Sequence, residues 1–424
     1  MRLLKYELKK LLTSKLTVIS FVVLLGFSLF TQLQINAAKP QTVDLYSYGW
    51  GYGPGTDAEK LTAQYAGEVT QEWYDNIVAE YEEYITDPAN RISEQEVDAL
   101  IEEWRAEGWD EDNIEYLLND PARLLKYDNA PILKVRADAE QLISYFERAE
   151  MYATDVSEIY RERYPGDMGE AMAAKLTEMM DTFIAEYTLY YDYDYGWWDI
   201  RTMHLLFPAT LGLLIVIALS PLFCYDRSRR TESIVFSTRH GRKKLIFAKL
   251  GAGFTFAFML WLIFELVTVS AAFIKYGASG AAASWPDFYY YDAPFVFNQL
   301  QITLVTMITS LFGVLMTAAL VMMVSALAKG RYATLIISAA LTVVPALDSL
   351  YIYIFGKDSF METVFDFFPG RILGAINEWQ FLDLLYIFGV AVPTEYLLIP
   401  AAIIFGAGMS VICFFRYRNR QPAN

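Results

Sequence analysis

Six long stretches that carry at most one charged residue each constrain this chain more than any other feature of its sequence. A helix needs about 20 apolar residues to cross the hydrocarbon core of a bilayer. Because lipid cannot satisfy backbone polar groups, such stretches cross the bilayer as helices. We therefore predict an all-α integral membrane protein with six transmembrane helices, at about 16–36, 203–225, 250–274, 300–327, 332–355 and 396–415.

Basic residues are concentrated in short segments beside these helices. Of the 34 Lys and Arg residues, 18 lie in four such segments. Positive charge is retained on the cytoplasmic side of a membrane, so we predict that all four segments, and with them both chain termini, are cytoplasmic. The segments are residues 1–15, 226–249, 329–331 and 416–420.

Two alternatives would change this topology. Residues 1–37 resemble a signal peptide with a weak cleavage site at 35–37, and cleavage would leave five spans. We favour a retained helix, because residues 1–15 have the pattern of an amphipathic interfacial helix. A seventh span is conceivable in Ile372–Ala391, but Glu378 and Asp383 favour an external or re-entrant helix.

The region between the first two predicted spans, residues 37–202, is interpreted as a large helical extracellular domain. It contains 37 acidic and 13 basic residues, a net charge of −24, against −16 for the whole chain. Ser93 and Glu96 form a capping-box pattern, which satisfies free backbone N–H groups at a helix start. The acidic surface is typical of a solvated face, and attraction of a cationic peptide or Ca²⁺ is the alternative.

Aromatic residues crowd the end of this domain. They are consistent with an aromatic belt at the membrane interface or with a docking surface for an amphiphilic ligand. The residues are Tyr187, Tyr190, Tyr191, Tyr193, Tyr195, Trp197 and Trp198.

The sequence lacks the common catalytic motifs. It contains no phosphate-cradling Gly-x-x-x-x-Gly-Lys-Ser/Thr, no His-x-x-x-His pair, no Gly-x-Ser-x-Gly and no Cys-x-x-Cys. We therefore expect no enzymatic activity, cofactor or metal in this chain, and no nucleic-acid partner. The two cysteines, Cys224 and Cys413, lie near predicted cytoplasmic ends, which excludes a disulfide framework in the external domain.

Two acids interrupt the predicted spans, Glu265 and Asp348. Acids are costly in hydrocarbon and usually face a bundle interior or a water-filled cavity. They are candidates for a substrate or ion pathway. The alternative is that each lies near the interface or satisfies a neighbouring helix.

The basic segment between the second and third spans has a recognisable order of residues. Three polar residues precede the apolar run Ile234-Val235-Phe236, and Ser-Thr-Arg and a further Arg follow it. With the amphipathic helix and the span layout, this order resembles the permease subunits of ABC-2 type transporters over residues 1–36 and 203–424. Arg230 stands where that family usually has glycine, and Arg239-His240 follows where proline is frequent.

The resemblance implies that a coupling helix within residues 226–249 contacts a separate ATPase subunit that binds ATP and Mg. It also implies a second permease copy or a homologous permease, a bacterial plasma membrane, contact with membrane lipid, and export of a peptide, lipid-like or drug-like substrate. The expected contact residues are Arg230, Thr231, Glu232, Ile234, Val235, Phe236, Ser237, Thr238, Arg239 and Arg242.

Three rival functions stay open on the sequence alone. A non-transporting receptor or scaffold would use the acidic domain to bind a ligand and would need no ATPase. An ion-coupled transporter would use Glu265 and Asp348 and would depend on an ion gradient. A membrane enzyme with unfamiliar residues would turn over substrate without a partner.

Overall fold

The chain is a predominantly helical multi-pass membrane protein. The computed structural model describes residues 2–35, 63–119, 124–125, 131–225, 243–284, 294–328, 330–347, 360–374, 379 and 382–419.

The first part of the chain forms two helices of the membrane region and a helical domain with one short strand pair. The elements are α1 (Arg2–Thr13), α2 (Lys15–Ile35), β1 (Gly67–Glu68), α3 (Gln71–Thr86), α4 (Glu94–Ala106), α5 (Glu111–Leu118), α6 (Pro131–Ile143), α7 (Tyr145–Arg163), α8 (Asp167–Glu186) and β2 (Tyr190–Tyr191). Strand β1 pairs antiparallel with β2.

The second part forms the rest of the membrane bundle and a hairpin. The elements are α9 (Tyr195–His204), α10 (Leu213–Leu219), α11 (Lys243–Tyr276), α12 (Gln299–Leu327), α13 (Arg331–Val343), α14 (Phe360–Asp366), α15 (Pro369–Gly374), β3 (Leu384–Ile387), β4 (Val390–Pro393) and α16 (Thr394–Arg418).

Within the described residues, five helices are long and apolar enough to cross a membrane. Exposed apolar side chains such as Val22 and Ile404, which are 63% and 68% exposed, suit contact with lipid or with another membrane protein. The five helices are Lys15–Gln34, Tyr195–Leu219, Lys243–Tyr276, Gln299–Leu327 and Thr394–Arg418.

The second of these spans contains a π-helical turn. Residues Pro208–Gly212 join α9 to α10, and the Gly212 N–H donates to the Phe207 carbonyl at 2.8 Å. Pro208 has no N–H to donate, so the ordinary helical ladder is interrupted here. The added residue rotates the face presented by α9 by ~100° relative to α10.

The described parts of the four basic segments lie at one end of the bundle, which we call the basic end. Leu11 of α1 is buried in the bundle core. Tyr225, Lys249 and Arg331 line one cavity together with α1. Tyr417 of α16 lies under the Lys249 ammonium, 5.6 Å from the ring centroid. The opposite end, where the helical domain sits, is called the domain end.

The crossing predicted as one helix over 332–355 is interrupted. After α13 the chain makes a single 3₁₀ turn at Val344–Ala346 and leaves helical geometry at Leu347, with φ −99° and ψ 74°. Pro345 accounts for the break, because it lacks an amide N–H and its ring conflicts with a continuing helix. Residues 348–359, including Asp348, lie outside the described residues.

The short helix α15 lies inside the bundle, against the middle of α12. Ile372 and Leu373 are 0% exposed. A side chain on Gly313, the central residue of α12, would overlap the backbone of Leu373, and one on Gly370 would overlap the Thr342 carbonyl. Glycine is required at both positions because α12, α13 and α15 approach at backbone distance.

The interpretation of Ile372–Ala391 as one external or re-entrant helix is wrong. Among the described residues, 372–374 end helix α15 and 384–391 contribute to the antiparallel hairpin β3–β4, so the segment is not a single helix. Phe388 and Gly389 form the turn with φ 49° and 91°. Two consecutive positive φ angles are typical of the tight turns that connect hairpin strands.

The helical domain is packed onto the domain end. The predicted capping box is confirmed, since Ser93 accepts from the Glu96 N–H and the Glu96 carboxylate accepts from the Ser93 N–H at 2.8 Å. Several aromatic residues at the end of the domain pack into protein, although Tyr190 is exposed: Tyr191 and Tyr193 are 6% and 5% exposed, and the Tyr187 hydroxyl donates to the Phe297 carbonyl. These side chains therefore join the domain to the bundle.

We predict that Gly313→Ala and Gly370→Ala each destabilise the protein by about 1–3 kcal/mol, because an added methyl group must displace backbone. Gly408→Ala in α16 is the matched control, since nothing lies within 4 Å of its added methyl group. That control is expected to be neutral or slightly stabilising. Unfolding of the purified full chain in detergent measures all three, and equal effects would contradict the close approach of α15.

Candidate functional site

A group of buried polar side chains lies inside the bundle near the domain end. Asp199, Arg201 and His204 of α9 are 0%, 1% and 0% exposed. At ~100° per residue, these three positions point in different directions. Polar groups buried this deeply need partners within the protein, and each of the three contacts a different helix.

Asp199 connects α9 to α2 through Gln32, and Gln32 in turn contacts α11. The Gln32 amide nitrogen donates to Asp199 Oδ2 at 2.7 Å and to the Thr268 carbonyl at 3.0 Å. Lys275 Nζ donates to the backbone carbonyl of Gln32 at 3.2 Å. A primary amide nitrogen has two N–H groups, so the Gln32 side chain on α2 can donate to α9 and α11 at once.

Arg201 connects α9 to α12. Its guanidinium donates to the Gln299 side-chain oxygen and, at 3.5 Å, to the Thr303 hydroxyl. The Gln299 amide nitrogen donates in turn to the Asp194 carboxylate and, at 3.0 Å, to the Ser284 carbonyl. Gln299 thus stands between a buried cation and a carboxylate at the junction with the helical domain.

His204 connects α9 to α11. Its Nε2 lies 3.1 Å from Glu265 Oε1, and its Nδ1 lies 2.9 Å from the Ile200 carbonyl oxygen. A carbonyl only accepts hydrogen bonds, so Nδ1 must carry a hydrogen. The contact between Nε2 and Oε1 then holds one proton, on either the histidine or the glutamate. Both arrangements leave the pair with zero net charge.

This pair retains one further acceptor. Among the described residues, Glu265 Oε2 has no hydrogen-bond partner, although the side chain is only 6% exposed. A buried acceptor without a partner is costly. Oε2 is therefore the atom of this network that a proton or another hydrogen-bond donor would approach.

The structure places one of the two predicted pathway residues in this network. Glu265 pairs with a neighbouring helix, which was the alternative to a pathway role. Asp348 and all ten predicted ATPase-contact residues, from Arg230 to Arg242, lie outside the described residues. Within the described part of the chain, no group of three or more His, Cys, Asp or Glu side chains could hold a metal ion.

Sequence reasoning missed the partners of Glu265 and Asp199. His204 is 61 residues from Glu265, and Gln32 is 167 residues from Asp199. A usable signal was present, because an acid in a membrane helix requires a donor and the chain contains only two histidines.

Comparison of the chain with protein-family models, curated proteins and solved structures found no match. The resemblance to ABC-2 permeases therefore rests on the residues that carry it.

We predict that Glu265→Gln changes the unfolding free energy by less than about 1 kcal/mol, because an amide N–H can donate to neutral His204 Nε2. Glu265→Leu is expected to cost about 1–3 kcal/mol, since Nε2 is then buried without a partner. Denaturant unfolding of the full chain in detergent measures both variants.

The matched control is the double variant His204→Leu, Glu265→Leu. It removes both partners and should be less destabilised than the sum of the two single Leu variants. Equal losses for Glu265→Gln and Glu265→Leu would show that the hydrogen bond to His204 does not stabilise the fold.

Proposed function

We propose that this chain is a membrane-spanning permease subunit of an ATP-driven ABC-2 type transporter. A separate ATPase subunit would bind ATP and Mg and contact residues 226–242 at the basic end, which faces the cytoplasm of a bacterial cell. A second permease copy or a homologous permease would complete the translocation path. We further propose export of a peptide, lipid-like or drug-like substrate.

The observation that carries this proposal is a set of contacts that holds both ends of the proposed coupling loop. We call it the loop-end clamp; it comprises Ser325, Lys249 and the backbone of residues 220–224. The Ser325 hydroxyl accepts from the N–H groups of Phe223 and Cys224 at 3.0 and 3.2 Å. It donates to the Ser220 carbonyl at 2.7 Å. The chain segment that enters the loop is therefore tied to α12.

Lys249 holds the segment that leaves the loop. The residue is 2% exposed, and its ammonium donates to the Leu222 carbonyl at 2.7 Å. It also lies 5.5 Å from the Phe223 ring centroid and 5.6 Å from that of Tyr417. A buried ammonium is stabilised by such carbonyl and aromatic contacts. The start of α11 is thereby joined to the second span and to α16.

This arrangement supports a mechanism for coupling. A force applied to residues 226–242 would act on the second span, α11, α12 and α16 together, because the clamp joins them. Packed helices move as rigid bodies with small displacements at their contacts. Closure of the ATPase subunits could then tilt these helices and change access from one side of the membrane to the other.

We predict that Ile234→Asp, Val235→Asp, Phe236→Asp together abolish association with an ATPase subunit, because charges replace the apolar contact surface. Membrane insertion should be unchanged. The tagged chain is purified from its native membrane in mild detergent, its partners are identified, and the eluate is assayed for ATPase activity.

The matched control replaces three exposed side chains of the helical domain, Tyr116, Met151 and Ile159, with Asp; they are 64%, 61% and 52% exposed. This control should retain the ATPase. If the unaltered chain carries no ATPase, the proposal fails. An ion-coupled transporter then becomes the better candidate, since the buried His204–Glu265 pair holds one exchangeable proton.

We also predict that Ser325→Ala weakens coupling while the ATPase stays bound. It removes the acceptor of two buried N–H groups and should destabilise the clamp by about 1–3 kcal/mol. The ATPase rate of the purified Ser325→Ala complex should therefore lie closer to the rate of the isolated ATPase subunit than the rate of the unaltered complex does.

Ser338→Ala in α13 is its control. Among the described residues, the buried Ser338 hydroxyl has no hydrogen-bond partner, so its loss should leave the rate unchanged. A normal rate in Ser325→Ala would remove the clamp from the coupling route without affecting the evidence for ATPase association.

A further inference from the structure

A cavity of about 410 Å³ opens at the basic end, between α1, the start of α2, the second span and the start of α13. Its volume falls within the range of about 300–1,000 Å³ found for small-molecule sites. We call it the basic-end cavity. It lies apart from the polar network at the domain end.

The walls of this cavity have two chemical characters. Leu11 and Ala218, which line it, are 5% and 2% exposed, and Ile217 and Leu335 add further apolar surface. Arg331, by contrast, is an exposed residue at the start of α13. The cavity thus combines apolar walls with an exposed cation at its mouth, the combination expected for a site that holds an amphiphile.

The charged groups that line the cavity are three cations and one acid: Lys10, Lys249, Arg331 and Glu7. Glu7 pairs with Lys10 at 3.1 Å, and Lys249 donates to the Leu222 carbonyl. The net charge of the lining is positive. A bound anion would therefore gain Coulomb energy in the cavity.

Arg331 is the group best placed to receive that anion. Its guanidinium donates to the neutral Tyr332 hydroxyl at 2.8 Å, and no carboxylate pairs with it in the described part of the chain. A guanidinium has five N–H donors in a planar fork that matches phosphate oxygens. The Tyr332 hydroxyl, which accepts from Arg331, keeps its own hydrogen for donation.

The combination selects among possible occupants. A free anion would leave the apolar walls in contact with water, and a purely apolar molecule would leave the exposed Arg331 guanidinium without a counter-ion from the described part of the chain. A lipid of the adjacent leaflet satisfies both, because its phosphate sits at the level of the basic residues and its tail enters the hydrocarbon region.

We propose that the basic-end cavity binds one anionic phospholipid, with an acyl chain between α1 and α13 and the phosphate at Arg331 and Lys10. Such a lipid bridges α1 to α13. The proposal does not depend on an ATPase partner, since it concerns only the purified chain and its membrane.

The test is native mass spectrometry of the full chain in detergent, titrated with phosphatidylglycerol or with phosphatidylcholine of the same acyl chains. We expect saturable binding of one phosphatidylglycerol at concentrations where phosphatidylcholine is not retained. The variant Lys10→Gln, Arg331→Gln should bind phosphatidylglycerol about tenfold more weakly, since each basic residue near the surface contributes to attraction of anionic lipid.

Two control arms make the result decisive. Arg416→Gln, Arg418→Gln removes two exposed cations of α16 that do not line the cavity, and it should bind normally. Leu335→Trp fills apolar space in the cavity and should weaken binding while Lys10 and Arg331 remain; thermal unfolding confirms that this variant is folded.

Three results would overturn the proposal. Equal retention of both lipids would exclude selection by the head group. An equal loss in the α16 control would indicate non-specific attraction to the basic end. Displacement of phosphatidylglycerol by excess inorganic phosphate, with no effect of Leu335→Trp, would show that the site takes a free anion and has no role for the tail.

Discussion

Hydrocarbon offers no hydrogen-bond partners, and this constraint governs how the bundle is joined. An apolar side chain in the bilayer is stabilised about as well by lipid as by a neighbouring helix, so apolar contacts alone hold helices together weakly. The polar contacts supply what packing lacks: Asp199 binds Gln32 of α2, Arg201 binds Gln299 of α12, and His204 binds Glu265 of α11. The two amides matter because each satisfies several groups: Gln32 donates to α9 and α11, and Gln299 accepts from Arg201 while it donates to Asp194 and to the Ser284 carbonyl. Four spans are thereby tied together around α9.

The same constraint explains how an interrupted crossing survives inside the membrane. Irregular backbone at membrane depth is tolerated only where protein encloses it or where it lines a water-filled cavity. Here the chain breaks after Pro345, and α15 inserts against the middle of α12. Gly313 and Gly370 allow the backbones of α12, α13 and α15 to meet there, and Pro345 itself is buried. The β3–β4 hairpin, which follows α15 in the chain, packs against α8 of the helical domain.

Local signals in the sequence predicted much of the architecture. Uncharged runs located the five long spans, and Ser93 with Glu96 located the start of α4, because each pattern reports an interaction within about 20 residues of chain. The network at the domain end was not predictable in this way, since its partners are up to 167 residues apart. The six-residue helix α15 was missed for another reason. It is too short to show a helical periodicity of apolar residues, and a charged residue such as Arg371 suggests a loop; in the structure Arg371 lies 3.4 Å from the Asp366 carboxylate.

The two ends of the bundle are linked by helices that carry polar contacts at both. At 1.5 Å per residue, α11 is about 51 Å long and α12 about 44 Å, and both exceed the hydrocarbon thickness of about 30 Å. Lys249 and Glu265 lie on α11, while Ser325 and Gln299 lie on α12. If displacement of the loop-end clamp tilts these helices, it also stretches the contacts around α9. Linkage is reciprocal, so under the proposed function a cargo or ion that opens the His204–Glu265 pair would change the loop's affinity for the ATPase by the factor by which the ATPase changes the affinity for that cargo or ion. That reciprocity is what a transporter requires, and a passive scaffold has no need of it.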